Sequence, residues 1–260
     1  MNLSLFVVAA SGLLGLLFGS FANVLVHRLP RGESIVFPGS RCPHCAHAIA
    51  WYDNIPVFSW LWLRGRCRHC DAPVAWRYPL LEAGLGLLWA GLAWHFSLTP
   101  ELGMALLLSF LLWVLTWIDL ETGLLPNALT FPGMAAGLLF AFAYGDFTAS
   151  LLGALAGYAV FWLVARLFLL LTGREGLGQG DFKLLAMLGA FLGWQALPFV
   201  VFLSSFVGAV IGGLFLLLSR KPLRAEIPYG PYLAGAGMIW LVWGEPLLRW
   251  FTALSRQVMQ

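Results

Sequence analysis

Charge is scarce in this chain. Asp, Glu, Lys and Arg make up 10% of its 260 residues, while 60% are hydrophobic. A soluble domain carries roughly 25% charged residues, so this composition excludes an ordinary soluble protein and indicates a membrane protein. Long polar stretches are also few. Apolar runs are spread over the whole length, which excludes a single cleavable signal peptide on a soluble body. No basic residue precedes the first run, 3–26, and that run continues past Gly19-Ser20. It reads as a retained helix, with a signal anchor as the alternative. The net charge of +3 gives no argument for nucleic acid, and no nucleic-acid partner is expected. Cysteine is nearly absent: there are four, all inside one polar insertion.

What is present is a series of runs near membrane length. About 20 apolar residues cross the hydrocarbon core as a helix. Such runs are 3–26, 80–98, 102–118, 128–144, 147–171, 196–219 and 231–251. A further run, 182–193, is only about 18 Å long at 1.5 Å per residue. It reads as a short helix dipping from the membrane face and handing over to the next at 193–198. The expected fold is therefore an all-α polytopic membrane protein in the lipid bilayer, with about eight membrane helices, one of them short. The 29 glycines suit close helix–helix approach in lipid.

Lys and Arg set the orientation. Arg28, Arg31, Arg41, Arg64, Arg66, Arg68 and Arg77 lie between the first two runs. Arg174 and Lys183 flank another connection, and Arg220, Lys221 and Arg224 fill a third. With eight alternating segments these connections share one face, expected to be cytoplasmic. The opposing turns near 97–101, 145–146 and 193–195 carry no Lys or Arg. Arg249 and Arg256 go against the pattern.

Residues 27–78 are the one polar insertion, about 50 residues and too small for a secure hydrophobic core. A metal or disulfide staple is expected there. It contains Cys42-Pro43-His44-Cys45 and Cys67-Arg68-His69-Cys70, two Cys-x-x-Cys knuckles separated by 21 residues. That spacing suits a four-thiolate zinc site built from Cys42, Cys45, Cys67 and Cys70. Two disulfides are the alternative, disfavoured in a reducing cytoplasm. A closed four-Cys site leaves no open position, so the ion would be structural. His44, His47 and His69 are substitute ligands or solvated loop residues. The domain division expected is 1–26 for the first helix, 27–78 for the cytoplasmic zinc subdomain and 79–260 for the membrane-embedded remainder.

Two aspartates end long apolar runs on the same expected face: Asp119 in Trp117-Ile118-Asp119-Leu120, and Asp181 in Gly178-Gln179-Gly180-Asp181-Phe182-Lys183. Charge there is costly and marks a functional site. Paired carboxylates can share one proton, as in aspartic proteolysis. Each has a bland reading. Asp119 to Asn127 can be a polar turn, with Gly123 permitting the reversal and Pro126 starting the next helix. Asp181 can be a helix N-terminal residue that accepts free backbone N–H groups. Gly178 and Gly180 then serve the turn, or they clear space for a substrate backbone. Glu121 faces water. Glu82 reads as a first-turn carboxylate or a partner of Arg77. Lys183 and Arg166 can snorkel, and Lys183 can instead pair with a carboxylate.

Taken together, these residues resemble the prepilin peptidases of type IV pilus and type II secretion systems, the polytopic aspartic proteases of bacterial inner membranes. The resemblance spans nearly the whole chain. It runs from Gly19-Ser20-Phe21-Ala22-Asn23-Val24 and His27-Arg28-Leu29-Pro30 through both knuckles around residues 51–60. Arg77-Tyr78-Pro79 with Glu82 follows, then the two aspartate segments, then Pro228-Tyr229-Gly230-Pro231. The family pattern after the first aspartate usually ends Ile-Pro-Asp; here it ends Leu125-Pro126-Asn127, which argues against an acidic role for Asn127.

The resemblance implies Asp119 and Asp181 as the catalytic pair, with Gly178, Gly180 and Lys183 in the active-site loop. It implies cleavage of prepilins or pseudopilins after the Gly of a short basic leader, at the cytoplasmic membrane face. Many relatives also N-methylate the new N-terminus with S-adenosylmethionine, and the knuckle insertion usually accompanies that activity. No glycine-rich nucleotide signature places the methyl donor; the aromatic stretch 52–60 is a candidate surface. Presenilin-like intramembrane proteases, which also use Gly-x-Gly-Asp, are the rival within the same chemistry. A membrane scaffold or transporter with a zinc-stabilised loop is the rival outside it.

Overall fold

Helices account for nearly all of the regular structure. A computed structural model describes residues 3–173, 178–219 and 228–258. The helices are α1 (Leu3–Arg28), α2 (Phe58–Trp62), α3 (Arg77–Phe96), α4 (Pro100–Thr122), α5 (Asn127–Tyr144), α6 (Phe147–Thr172), α7 (Gln179–Leu192), α8 (Leu197–Ser219) and α9 (Gly230–Val258). There is no strand among the described residues, only isolated bridges Arg41–Ala48 and Arg66–Pro73. All eight expected segments appear as helices; α2 is an additional short one inside the polar insertion. Five described helical stretches are long and apolar enough to cross a membrane: α1, α4, α5, α6 and Trp194–Phe215, which includes most of α8. Arg174, Arg220, Lys221 and Arg224, which carry part of the orientation, lie outside the described residues.

The chain forms two compact units, Met1–Val114 and Leu115–Gln260. In the first, α1 lies against α3 at glycine contacts. A Cβ on Gly19 would stand 2.6 Å from Glu82 Cα, and one on Gly15 would stand 2.8 Å from Gly86 Cα. Backbones this close leave no room for a side chain, which is the small-residue packing that lipid-embedded helices favour. Trp89 Nε1 donates to Ser109 Oγ at 3.1 Å and Trp113 Nε1 to the Leu81 carbonyl at 3.2 Å, so these two indole N–H groups are satisfied.

In the second unit α7 is the centre. Beyond Lys183 it is apolar throughout, and residues 184–190 are all buried. Fourteen residues give about 20 Å, too short to span. The expected dip from the membrane face thus becomes the core element, packed by α5, α6, α8 and α9. Its closest neighbour is α6, where Gly153 and Gly189 face each other: a Cβ on either would overlap the other's backbone. The handover after α7 falls where expected. Gly193 takes a left-handed φ of 78°, a 3-10 turn covers Trp194–Ala196, and α8 follows with Pro198 in its first turn.

Two expectations about helix ends change. α4 continues through Asp119 to Thr122 where a polar turn was the alternative. No breaker occurs before Gly123, whose φ of 66° ends the helix while its N–H closes on the Asp119 carbonyl at 2.9 Å. Glu82 is not in the first turn of its helix, because α3 begins at Arg77. Its partners are Ser20 and the backbone N–H of Val57, at 2.7 Å.

Candidate active site and metal centre

Asp119 occupies the last turn of α4 and is 5% exposed. Its Oδ2 accepts the backbone N–H of Gly230, the first residue of α9, at 2.9 Å. A helix N-terminus presents unsatisfied N–H groups and a positive dipole end, which stabilise a carboxylate. Only glycine fits there: a Cβ on residue 230 would lie 2.7 Å from that same oxygen. Tyr229, one residue earlier, is fixed to α8 through its hydroxyl, 2.8 Å from Ser204 Oγ and 3.0 Å from Ser205 Oγ. The Pro-Tyr-Gly-Pro segment therefore positions a donor on Asp119. The sequence offered one clue to this, a Gly-Pro pair opening an apolar run.

Asp181 stands third in α7 and is 9% exposed. Gly178 is the N-cap, and its backbone N–H donates to the Asp181 carboxylate. This is half of a capping box, the acidic residue at the third helical position reaching back to the cap. The helix-terminal reading of Asp181 is thus correct in its geometry. The structure adds that Asp119 and Asp181 lie within electrostatic reach of each other. Leu125 lines the ground between their supports. Its side chain would meet a Cβ on Gly180 at 2.8 Å and one on Gly230 at 3.3 Å. The bare face of Gly180 is filled by Leu125, while Gly178 stays open except toward Asp181.

Neither carboxylate has a cation partner among the described residues. Lys183, two positions beyond Asp181, donates to Asn127 Oδ1 at 2.8 Å and lies over the Phe131 ring. Arg166 stands over Trp162 in α6. Each buried carboxylate therefore rests on one backbone N–H and on its like-charged neighbour, an arrangement in which a single shared proton is favourable.

The insertion lacks a hydrophobic core. Between residues 27 and 78 only Cys42, Ser59 and Gly65 are buried. What organises it is a repeated local fold. Cys42 N–H bonds the His47 carbonyl at 3.0 Å and Ala46 N–H returns to the Cys42 carbonyl at 2.9 Å. In the second knuckle Cys67 N–H bonds the Ala72 carbonyl at 2.9 Å and Asp71 N–H returns to the Cys67 carbonyl at 3.0 Å. Ala46 and Asp71 both take left-handed φ, 57° and 54°. Arg68 grips Asp53 with both Nε and Nη2, tying the second knuckle to the Trp51–Asn54 turn and holding the Asp53 carboxyl below its usual range.

The four sulfurs lie within 4.8 Å of one another, and Cys42 Sγ is 3.8 Å from Cys70 Sγ. Zn–S bonds of about 2.3 Å in a tetrahedron place sulfurs about 3.8 Å apart, so the donor set fits zinc. The backbone N–H groups of Cys45 and His44 pull the Cys42 thiol down to about 6. Cys70, despite the Ala72 N–H, is pushed up to about 12 by burial and by the other cysteines. Four crowded thiols cannot all ionise without a cation among them. His44, His47 and His69 are not in the cluster, and the His47 and His69 rings instead lie against each other, 3.4 Å between centroids.

Comparison with known proteins agrees with this arrangement. The family model described as "Bacterial Peptidase A24 N-terminal domain" matches residues 13–96, and the "Type IV leader peptidase family" matches residues 106–213. Three similar proteins are each named prepilin leader peptidase/N-methyltransferase. The one from Aeromonas hydrophila is 47% identical over 92% of this chain and 91% of its own length. The one from Pseudomonas aeruginosa is 44% identical over 91% and 90%. The one from Stutzerimonas stutzeri is 43% identical over 94% and 93%. No solved structure gives a significant match. With both halves matched and relatives this similar over almost the full length, the chain belongs to the type IV leader peptidase family.

Proposed function

We propose that this protein cleaves the short basic leader from type IV prepilins or pseudopilins and then N-methylates the exposed N-terminal residue. One observation carries the proteolytic half: two buried carboxylates from separate helices converge, each held by one backbone N–H and neither paired with a cation. One aspartate, ionised, takes a proton from a water that attacks the carbonyl carbon of the scissile bond. The other, protonated, donates to the carbonyl oxygen as the tetrahedral intermediate forms. The pair exchanges roles as the leaving amine is protonated. Gly230 and Gly178 hold the two side chains in place while charge moves between them.

Three further elements complete the reading. The site faces the cytoplasm of a bacterial inner membrane, as the arginines of residues 27–78 support. Residues 79–260 form the peptidase region and 27–78 a zinc-stabilised subdomain in which Cys42, Cys45, Cys67 and Cys70 hold a structural ion. S-adenosylmethionine, when bound, supplies the methyl group transferred to the new amine.

Mass measurement on a co-expressed prepilin separates the two activities, since leader loss and methyl addition shift mass independently. Asp119→Asn and Asp181→Asn each lower cleavage by about 10²–10⁴-fold with folding retained. Wild-type processing by either variant removes that residue from the mechanism. A Cys42→Ser variant that still cleaves but no longer transfers a labelled methyl group would assign methylation to the zinc subdomain.

A further inference from the structure

In the second unit α6 and α8 both pack on α7 and leave a groove of about 740 Å³ between them. Its wall on α8 is a single helical face, including Leu197, Val201 and Ser205 at successive turns. The opposite wall is Ala156 and Val160 of α6, and Leu185 of α7 is the floor. On its open side Phe202 is 71% exposed and Phe206 is 59% exposed, so the groove opens laterally, toward lipid in a membrane.

Two features connect this groove to the carboxylates. Leu185 lies four residues after Asp181 on the same face of α7, about 6 Å deeper along the axis. At the other wall, Ser205 Oγ meets the Tyr229 hydroxyl at 3.0 Å, and the next residue, Gly230, donates to Asp119. The groove is thus apolar along its length, and the Ser205 hydroxyl on its wall is linked through Tyr229 to the residue that donates to Asp119. A lipid acyl chain would match the apolar walls but brings no peptide bond to the aspartates. A helix that begins at the cut site matches both, with its scissile bond at Asp119 and Asp181 and its first apolar turns running down over Leu185 between Ala156 and Val201.

We propose that the α6–α8 groove seats the apolar helix of the substrate immediately after the cleavage point, admitting it sideways from the bilayer. This rests on the peptidase reading above, and the test keeps the two apart. Wild-type cleavage of a purified prepilin in lipid vesicles is measured first; its absence rejects the peptidase reading itself. The second arm replaces Phe202 with the photo-crosslinker p-benzoyl-phenylalanine in an Asp181→Asn background, which holds uncut prepilin. Leu155, which lines the smaller groove between α5 and α6, carries the same group as control. The expected result is a crosslink to the first turns of the prepilin helix from position 202 and none from 155. Where the wild type cleaves, crosslinks from 202 to lipid only, or to prepilin from 155 alone, overturn the groove assignment. Kinetics give an independent readout. Ala156→Leu narrows the groove away from the carboxylates and should raise KM for prepilin about tenfold with kcat little changed. A fall in kcat at unchanged KM would overturn the assignment.

Discussion

Gly230 donates its backbone N–H to Asp119 Oδ2 at 2.9 Å, joining the end of α4 to the start of α9 across 111 residues of sequence. The contact needs glycine for reasons of space, since a Cβ there would lie 2.7 Å from the accepting oxygen. Gly230→Ala is therefore expected to push the carboxylate aside without removing it. Displacement of a reacting group by about 1 Å costs on the order of 100-fold in rate. The variant should fold, bind prepilin with little change in KM and lose kcat by about 10–100-fold. A kcat within twofold of wild type would show that this donor does not position Asp119.

This contact also marks the limit of what the sequence discloses. Asp119 and Asp181 stand out on their own, because an acid beside a long apolar run violates the local pattern and the violation is visible in one dimension. The knuckles are as plain, since Cys-x-x-Cys spacing is itself the geometry. Gly230 is different. Its role is a space left empty, and an empty space has no composition. Glu82 went astray for a different reason: its first-turn assignment took the apolar run from residue 80 as the helix, whereas α3 begins at Arg77 and the carboxylate turns toward Val57. The eight helical segments were legible from hydropathy. The centrality of α7 was not, because a short apolar run reads the same whether it lies shallow at a membrane face or buried among four other helices.

Gly189 is a site where added bulk should be intolerable. Any side chain there overlaps the Gly153 backbone on α6. Gly189→Leu should separate α6 from α7 and prevent stable folding of the second unit, seen as loss of a cooperative thermal transition and of detergent-stable protein. Gly91, whose Cβ would meet nothing within 4 Å, is the comparison, and Gly91→Leu should be tolerated. Equal yields and transitions for both variants would contradict the packing described.

Metal removal should act locally. Because residues 27–78 bury almost no apolar surface, the thiolate cluster is their main constraint. Elemental analysis is expected to give one zinc per chain, lost in Cys42→Ser. Chelation should raise the rate of trypsin cleavage at Arg64, Arg66 and Arg68 by at least about tenfold, the effect of losing more than ~1.4 kcal/mol of local stability. Protease resistance unchanged by chelation would mean that hydrogen bonds alone hold the insertion.

Glu82 is expected to secure the start of α2. Val57 adopts a left-handed φ of 62°, unfavourable for a β-branched residue, and its N–H is held at 2.7 Å by this buried carboxylate. Glu82→Ala strands that donor and should destabilise the first unit by about 1–3 kcal/mol. Glu82→Gln retains an acceptor and should cost less. The check is the pair of melting temperatures: if both variants match wild type, Val57 is held by something else.

The Lys183–Asn127 bond gives the reverse kind of test, a substitution expected to help. Lys183 Nζ meets a neutral amide oxygen at 2.8 Å. Asn127→Asp turns this into a charge-assisted bond at a partly exposed position, worth ~0–1 kcal/mol. The gain should shrink as salt rises, because the pair is screened. Cleavage should be unchanged, since the new carboxylate is neutralised by Lys183 before it can act on Asp181. Lys183→Met in the same background removes that neutralisation, so the double variant should lose the gain and shift the pH profile of cleavage upward, as an added negative charge makes the aspartate pair hold its proton more tightly. If Asn127→Asp alone shifts the profile, Lys183 is not shielding the pair in the way its geometry indicates.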